Sequence, residues 1–476
     1  MSLKPPQKPR HSALLRDLAE PGCPACRRGA WSEDRYEFGF IYEHHGDRYT
    51  LAHLRASLGF CAAHTRRLLR RHEAQWVMPL VYAEVVRAAR EDLGPRSTAP
   101  AVRPCPMCES QGQVAGAFLR ALVVALRDPH VAETYEKSDG LCLPHLCNAL
   151  RDRDHTATVV LVRAFGTRLR QATDPGLVLR CLAGRDDDRP ARHDQRLRLQ
   201  RVAVANAAPA PVDVLGGLRD RFGTDACPIC LVGALAEAQF LTWLATEFLT
   251  SASSLTVEGL WLCPGHLHDL ADLNAASGAA VARHQQEEVG AELARLEARL
   301  QTLPPAGPLA RVLFVRALLR DREAPPRRRW AELRRGAAAL VASRRSSVAA
   351  SLEPLTRPRR CAACSAWVTA EERVGSLLGA AIEDGQTARV YEGSHGICVR
   401  HAYQLKGHPW AGPVVAVLRA RLAVLGWELD EIRRKSAWAE RWDATGPESG
   451  AWLRAPGHLD GRVFLGAPAP ASWTLL

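Results

Sequence analysis

Apolar residues recur along this chain at helical spacing. Ala115, Phe118, Leu119, Leu122, Val123 and Leu126 mark one face of a helix that Asp128-Pro129 should end. A short helix over Val131 to Lys137 follows, and Ser138-Asp139-Gly140 turns the chain into Cys142. Similar patterns predict helices over Thr65 to Arg71, Trp76 to Asp92 and Ala279 to Leu303. In the last of these, Val289, Leu293, Leu296 and Leu300 form a near-heptad stripe. Such a stripe suits antiparallel or intermolecular helix packing, and equally an ordinary core face. The expected fold class is all-α.

The helices are organised by a repeat visible in the cysteines. Copy one has Cys23 and Cys26, then Cys61 and His64; copy two has Cys105 and Cys108, then Cys142 and His145. Copy three has Cys227 and Cys230, then Cys263 and His266; copy four has Cys361 and Cys364, then Cys398 and His401. The two halves of each copy are 34, 33, 32 and 33 residues apart. An apolar residue precedes the third cysteine each time (Phe60, Leu141, Leu262, Ile397), and glycine stands two before it at Gly59, Gly140 and Gly396. Copy three departs, with Gly259 four before its cysteine, so its turn should differ.

Three cysteines and one histidine are a common structural zinc set, and ligands three positions apart chelate from one turn of helix. Proline after the first cysteine suits the first helical position, where its missing N–H costs nothing. A helix start also favours thiolate over thiol. The fold is therefore read as four helical modules, each pinned by a Cys3His zinc site, with four zinc ions per chain. With helices rising about 1.5 Å per residue and extended chain returning at most about 3.3 Å, the gap admits an outbound helix of at most about 22 residues. Near-constant gaps favour pairing of ligands within a copy, although pairing between copies stays open.

Between the copies the composition changes. A proline-rich, cationic stretch over residues 1–10 reads as disordered. Modules one and two span 11–95 and 103–183. A linker over 184–214 holds Asp186-Asp187-Asp188 and an Ala/Pro run. Module three spans 215–303, an Arg-rich insertion 304–356, module four 357–435 and a tail 436–476. Four tryptophans in that tail, Trp438, Trp442, Trp452 and Trp473, predict that it docks on the body or on a partner. Asp460-Gly461 there could form a tight turn beside Val463-Phe464-Leu465.

The chain has 476 residues and a formal charge of +12. Four divalent ions against twelve thiolates would leave it near +8, still basic enough to meet polyanions (about +8). No apolar signal core follows Met1 to Arg10, and no run of 18 or more apolar residues is found; the most apolar helix reads as that around Ala115 to Leu126. A cytoplasmic protein with no membrane span is expected. Cys-x2-Cys pairs without a secretory signal read as metal ligands in a reducing compartment rather than a disulfide scaffold. Cys147 and Cys181 lie outside the pattern and read as small buried residues. His44, His45, His53 and His72 read as solvated or capping side chains.

The stretch Tyr135-Glu136-Lys137-Ser138-Asp139-Gly140-Leu141-Cys142-Leu143-Pro144-His145 resembles an uncharacterised bacterial family with CPxC…GLCxxH repeats, a domain of unknown function. The resemblance covers copy two best, copies one and four in motif, and copy three with its glycine shifted. It implies a helical metal-binding module and no catalytic activity.

The expected function is a non-catalytic scaffold that binds a protein or nucleic-acid partner; a homo-oligomer is compatible with it. No phosphate-binding loop, G-x-G-x-x-G, H-E-x-x-H or G-x-S-x-G is present in the sequence. The alternative is a redox or electron-transfer protein, using either an iron–sulfur cluster on the same ligands or Cys-Pro-x-Cys dithiols. Nucleic-acid contact would fall on Arg327, Arg328, Arg329, Trp330, Arg334 and Arg335, where guanidinium groups flank an aromatic ring. Arg327 to Arg360 holds ten arginines and two acids, Glu332 and Glu353.

Overall fold

A computed structural model describes residues 11–94, 97–152, 154–184, 214–246, 260–302, 350–437 and 439–463. All regular structure among them is helical. The candidate nucleic-acid residues Arg327, Arg328, Arg329, Trp330, Arg334 and Arg335, the turn at Gly259, Trp438 and Trp473 lie outside the described residues, as do residues 1–10 and most of the linker.

The chain divides into two compact units, each assembled from three stretches: Met1–Gly29, Gln113–Arg185 and Gly278–Arg359 in one, Ala30–Gly112, Asp186–Ser277 and Arg360–Leu476 in the other. The described helices, in chain order, are α1 (Ser12–Ala19), α2 (Pro24–Gly39), α3 (Arg48–Ala56), α4 (Ala62–Leu69), α5 (Ala74–Asp92), α6 (Pro106–Ala125), α7 (Pro129–Lys137), α8 (Leu143–Ala149), α9 (His155–Gln171), α10 (Pro175–Ala183), α11 (Val214–Phe222), α12 (Pro228–Thr246), α13 (Pro264–Leu273), α14 (Ala275–Thr302), α15 (Ala362–Glu383), α16 (Gly385–Gly393), α17 (Val399–Leu405), α18 (Ala411–Lys435) and α19 (Ala451–Leu459).

In the first unit the stripe on α14 is a core face: Val289, Leu293, Leu296 and Leu300 are all buried. Gln286, on the same helix, donates to the carbonyls of Leu169 and Ala172 and so caps the end of α9. Helix α6 ends at Ala125, and Asp128 caps α7 by accepting from the His130 N–H, with Pro129 at the first helical position.

In the second unit α5 packs on α18 and α19. Met78, Val85, Val86, Leu418, Leu422, Leu425, Trp452 and Leu459 belong to one continuous apolar cluster. The docking expected of the tail is thus seen for Trp452, whereas Trp442 is exposed. The most apolar helix is α12 rather than the one around Ala115 to Leu126. It is the one helix among the described residues long and apolar enough to cross a bilayer. Eleven of its residues are buried in the protein, which is how a core helix meets the same test. It packs on α15 through small side chains, and Gly233 lets Trp367 and Glu371 approach so closely that a Cβ there would stand 2.8 and 2.9 Å from them.

Candidate metal centres

All eight half-motifs fold the same way. The first cysteine of each is followed by a helix, and its carbonyl accepts from the N–H four residues on: Cys23 from Arg27, Cys61 from Thr65, Cys105 from Glu109, Cys142 from Leu146, Cys227 from Leu231, Cys263 from Leu267, Cys361 from Ser365 and Cys398 from Ala402. The second ligand of each half then lies in the first turn, where helix N–H groups favour negative charge. Proline opens α2, α6 and α12, as the sequence predicts, while copy four uses Ala362.

The turn into the Cys-x2-His half is built identically in copies two and four. Ser138 Oγ donates to the Tyr135 carbonyl at 2.8 Å and accepts from the Gly140 N–H at 3.1 Å, while Tyr135 Oη accepts from the Leu141 N–H. Ser394, Gly396, Tyr391 and Ile397 repeat every one of these bonds. Gly140 and Gly396 have φ of 59° and 77°, a left-handed conformation that explains the glycine two before the cysteine. Arg168 and Arg421 donate to the Ser138 and Ser394 carbonyls from the following long helices.

The ligands meet as four Cys3His groups, and each draws its halves from two different copies. The first centre joins Cys23 and Cys26 to Cys142 and His145; the second joins Cys61 and His64 to Cys105 and Cys108. The third joins Cys227 and Cys230 to Cys398 and His401; the fourth joins Cys263 and His266 to Cys361 and Cys364. The near-constant gaps therefore reflect a constant module length rather than closure within a copy. Helix lengths give the reason. The 22 residues of α15 carry the chain about 33 Å, and the nine of α16 recover at most about 13 Å. The second half-motif arrives beside Glu371, about two turns along α15 from Cys364, and there completes the neighbouring copy's site.

In every centre the histidine turns Nδ1 inward, 3.2 to 3.5 Å from the sulfurs. Sulfur pairs stand 3.7, 3.7, 3.9 and 4.0 Å apart in the four centres, in order. Disulfide sulfurs lie about 2.05 Å apart, and all the cysteines are free. A tetrahedral ion with metal–sulfur bonds of about 2.3 Å spaces its sulfurs by about 3.8 Å, so the donor set fits one four-coordinate cation per centre.

Three of the histidines carry a second contact that the sequence reading missed. His64 Nε2 meets Glu33 Oε1 at 3.0 Å, His266 Nε2 meets Glu237 Oε1 at 2.6 Å, and His401 Nε2 lies 3.4 Å from Glu371 Oε1. For His64 and His266 the carboxylate is hydrogen-bonded to the outer ring nitrogen and fixes the tautomer that presents Nδ1 to a metal, whereas Glu371 stands close behind His401 without a hydrogen bond. All three glutamates stand seven residues after the second cysteine of a pair, so Cys-x2-Cys-x6-Glu was the signal to find them. Copies three and four show the logic. Helix α12 starts at the third centre and offers Glu237 to the fourth, while α15 starts at the fourth and offers Glu371 to the third. The two helices therefore run antiparallel over their first halves, each starting at one centre and passing the other about two turns on.

Electrostatically, the side chains of each centre share charge. Burial pulls His64 down, but Cys105, Cys61 and Glu33 outweigh it and push it up to about 12. Burial is likewise outweighed for His266, pushed up to about 12 by Cys263, Cys361 and Glu237, and for His145, pushed up to about 10 by Cys23 and Cys26. Within each set sulfur contacts split the thiols. Cys142, Cys108 and Cys263 hold Cys23, Cys105 and Cys361 well below the usual thiol range. Cys23, Cys105, Cys227 and Cys263 raise Cys142, Cys108, Cys230 and Cys364. A cation entering such a set displaces the remaining protons.

Two glycines press their backbones onto centres. A Cβ on Gly184 would stand 2.9 Å from Cys142 Sγ and 3.0 Å from Cys26 Sγ. One on Gly461 would stand 2.7 Å from Cys230 Sγ. Asp460-Gly461, expected in a tight turn, leads from α19 into a 3-10 turn over Gly461–Val463. The other cysteines and histidines stay outside the centres. Cys147 is half-buried and donates to the Leu355 carbonyl, and burial pushes it up to about 11. Cys181 is half-buried. His44 and His72 are exposed, His45 bonds the Ile41 carbonyl and His53 the Pro104 carbonyl.

Fold and centres together define a helical metal-binding protein with four Cys3His groups. Compared with protein-family models, curated proteins and solved structures, the chain matches none.

Proposed function

We propose that the protein is a zinc-stabilised helical scaffold of a reducing, cytoplasmic compartment, non-catalytic, and that it binds a protein or nucleic-acid partner. The observation that carries this reading is the closure of each centre: four protein donors within 4.8 Å of one another leave no open position for a substrate. The same compactness favours zinc over an iron–sulfur cluster, whose ligands must stand around several metal atoms. Each centre also crosslinks two copies, which is what a structural ion does. The likeness of copy two to the CPxC…GLCxxH family is in keeping with this.

Partner binding is supported by aromatic side chains left in solvent. Trp31, Phe38, Tyr42, Tyr49 and Trp76 are each half or more exposed. Guanidinium groups lie over two of them, Arg35 over Trp31 and Arg48 over Tyr49. The Arg327 to Arg335 segment adds positive charge.

Metal analysis of protein purified without chelators tests the first part. The expected result is about four zinc ions per chain and no visible absorption. Iron with acid-labile sulfide would overturn it in favour of electron transfer. Nucleic-acid binding, read by fluorescence anisotropy, should weaken steeply with salt and on changing Arg327, Arg328 and Arg329 to Ala. Unaltered binding in that triple variant would remove the arginine segment from the reading.

A further inference from the structure

Four identical donor sets need not hold metal equally. Three have a carboxylate behind the histidine, at 3.0, 2.6 and 3.4 Å. At the first centre none of the described carboxylates pairs with His145, whose hydrogen-bond contacts among the described residues are those of Nδ1 with Cys23, Cys26 and Cys142. The sequence states the same difference. Seven residues after the second cysteine stand Glu33, Glu237 and Glu371 in copies one, three and four, but Ala115 in copy two. Copy two is the copy whose Cys-x2-Cys helix lacks the acid, and its own histidine, His145, is the one without a partner carboxylate among the described residues. A methyl group at that position neither accepts a hydrogen bond nor offsets positive charge on the imidazole.

We infer that the first centre, Cys23, Cys26, Cys142 and His145, is the exchangeable one of the four, and that Glu33, Glu237 and Glu371 are positioning residues that hold the other three closed. Loss of an outer carboxylate typically lowers metal affinity about 10- to 100-fold. The first centre should therefore empty and refill with free zinc at levels that leave the others loaded. Its ligands join the Cys23 segment to the Cys142 turn, so the metal there acts as a reversible clasp between those two segments.

This inference rests on the zinc reading, and one experiment separates the two. Full-length zinc-loaded protein is equilibrated overnight with graded chelator, then alkylated with a thiol reagent, and each cysteine is scored by peptide mass spectrometry. Equilibration removes the advantage of kinetic access that the exposed Cys364 gives the fourth centre. Expected is exposure of Cys23, Cys26 and Cys142 at chelator activity about 10- to 100-fold below that needed for the other nine ligand cysteines. In Glu237→Gln, the midpoint of Cys263, Cys361 and Cys364 should drop by a similar factor while the other centres hold, and Glu237→Asp should recover part of it. A merely structural role for Glu237 would shift the thermal midpoint without this centre-specific change. A common midpoint for all four centres overturns the inference and leaves the zinc reading standing, as does Glu237→Gln with its own centre unmoved. The wild-type ranking alone decides the matter if the variant does not fold. Cysteines that are alkylated equally with and without zinc would overturn the metal reading, and the inference with it.

Discussion

The third and first centres have the same four donors and are walled in differently. All four ligands of the third, Cys227, Cys230, Cys398 and His401, are buried, whereas only Cys142 is buried among those of the first. Behind His401 stands Glu371, itself 3.4 Å from Arg462; behind His145 stands no described carboxylate. In the turn before the cysteine, copy four has His395 where copy two has Asp139. His395 stacks on His458 of α19 at 3.9 Å, while Asp139 accepts from the Gly22 N–H at 2.6 Å. The lesson is that ligand identity sets which ion can bind, and the surrounding shell sets how firmly it is held and how much of the fold depends on it.

The largest difference should follow removal of one ligand. Structural zinc contributes on the order of 10 kcal/mol, comparable to the whole stability of a domain. Cys398→Ser should abolish the cooperative melt of the second unit, followed by circular dichroism with metal analysis. Cys23→Ser should lose one metal and keep a cooperative melt. Equal collapse of both variants would break the comparison.

Next come the glycine contacts. Gly461→Ala forces a methyl to 2.7 Å from Cys230 Sγ, and Gly184→Ala meets two sulfurs at 2.9 and 3.0 Å with φ at 74°. Each should cost about 1–3 kcal/mol in thermal unfolding. For Gly461→Ala the loss should appear as earlier exposure of Cys227 and Cys230 to alkylation. Melting curves that match the parent protein would mean that these backbones do not press on the centres.

Acid comes third. Burial, with His395 and Arg454 nearby, pulls His458 down to about 3, and burial lowers His395 as well. The folded protein therefore holds neutral imidazole. This contribution is intact above about pH 6.5 and is lost as pH falls toward about 3, because the unfolded chain takes up protons that the folded chain refuses. At pH 5 the His458 share is about 2 kcal/mol. The ligand thiolates also take up protons in acid, so the imidazole share is read as the difference between the parent protein and His458→Phe. A variant as acid-sensitive as the parent would remove His458 from the account.

Trp31→Ala should have the smallest effect on folding, below about 0.5 kcal/mol, because the ring is half exposed. Its effect should fall on partner binding instead, read by co-purification against the parent protein. A large loss of stability would make Trp31 a core residue rather than part of a binding face.

The ligands and most helices were legible in the sequence because they are local. Cys-Pro at a helix start, glycine at a left-handed turn and apolar spacing on α6 and α14 each depend on a few neighbouring residues. Pairing was not legible, since it depends on how far α15 and α16 carry the chain and where α12 meets α15. Glu33, Glu237 and Glu371 were missed for a related reason. Their role exists only once each helix passes the histidine of its own copy, which the fold has placed in a neighbouring copy's centre, although their constant offset was available to read. Helix α12 was underestimated because its apolar surface faces neighbours on several sides rather than forming one stripe.

The exchange of half-motifs between copies is tested most directly by changing Cys23 and Cys26 together to Ser, loading the full-length protein with zinc and mapping which cysteines become alkylated. Shared centres predict that Cys142 becomes reactive while Cys61 stays protected with Cys105 and Cys108. Reactive Cys61 beside protected Cys142 would mean that each copy closes its own site, and would contradict the account.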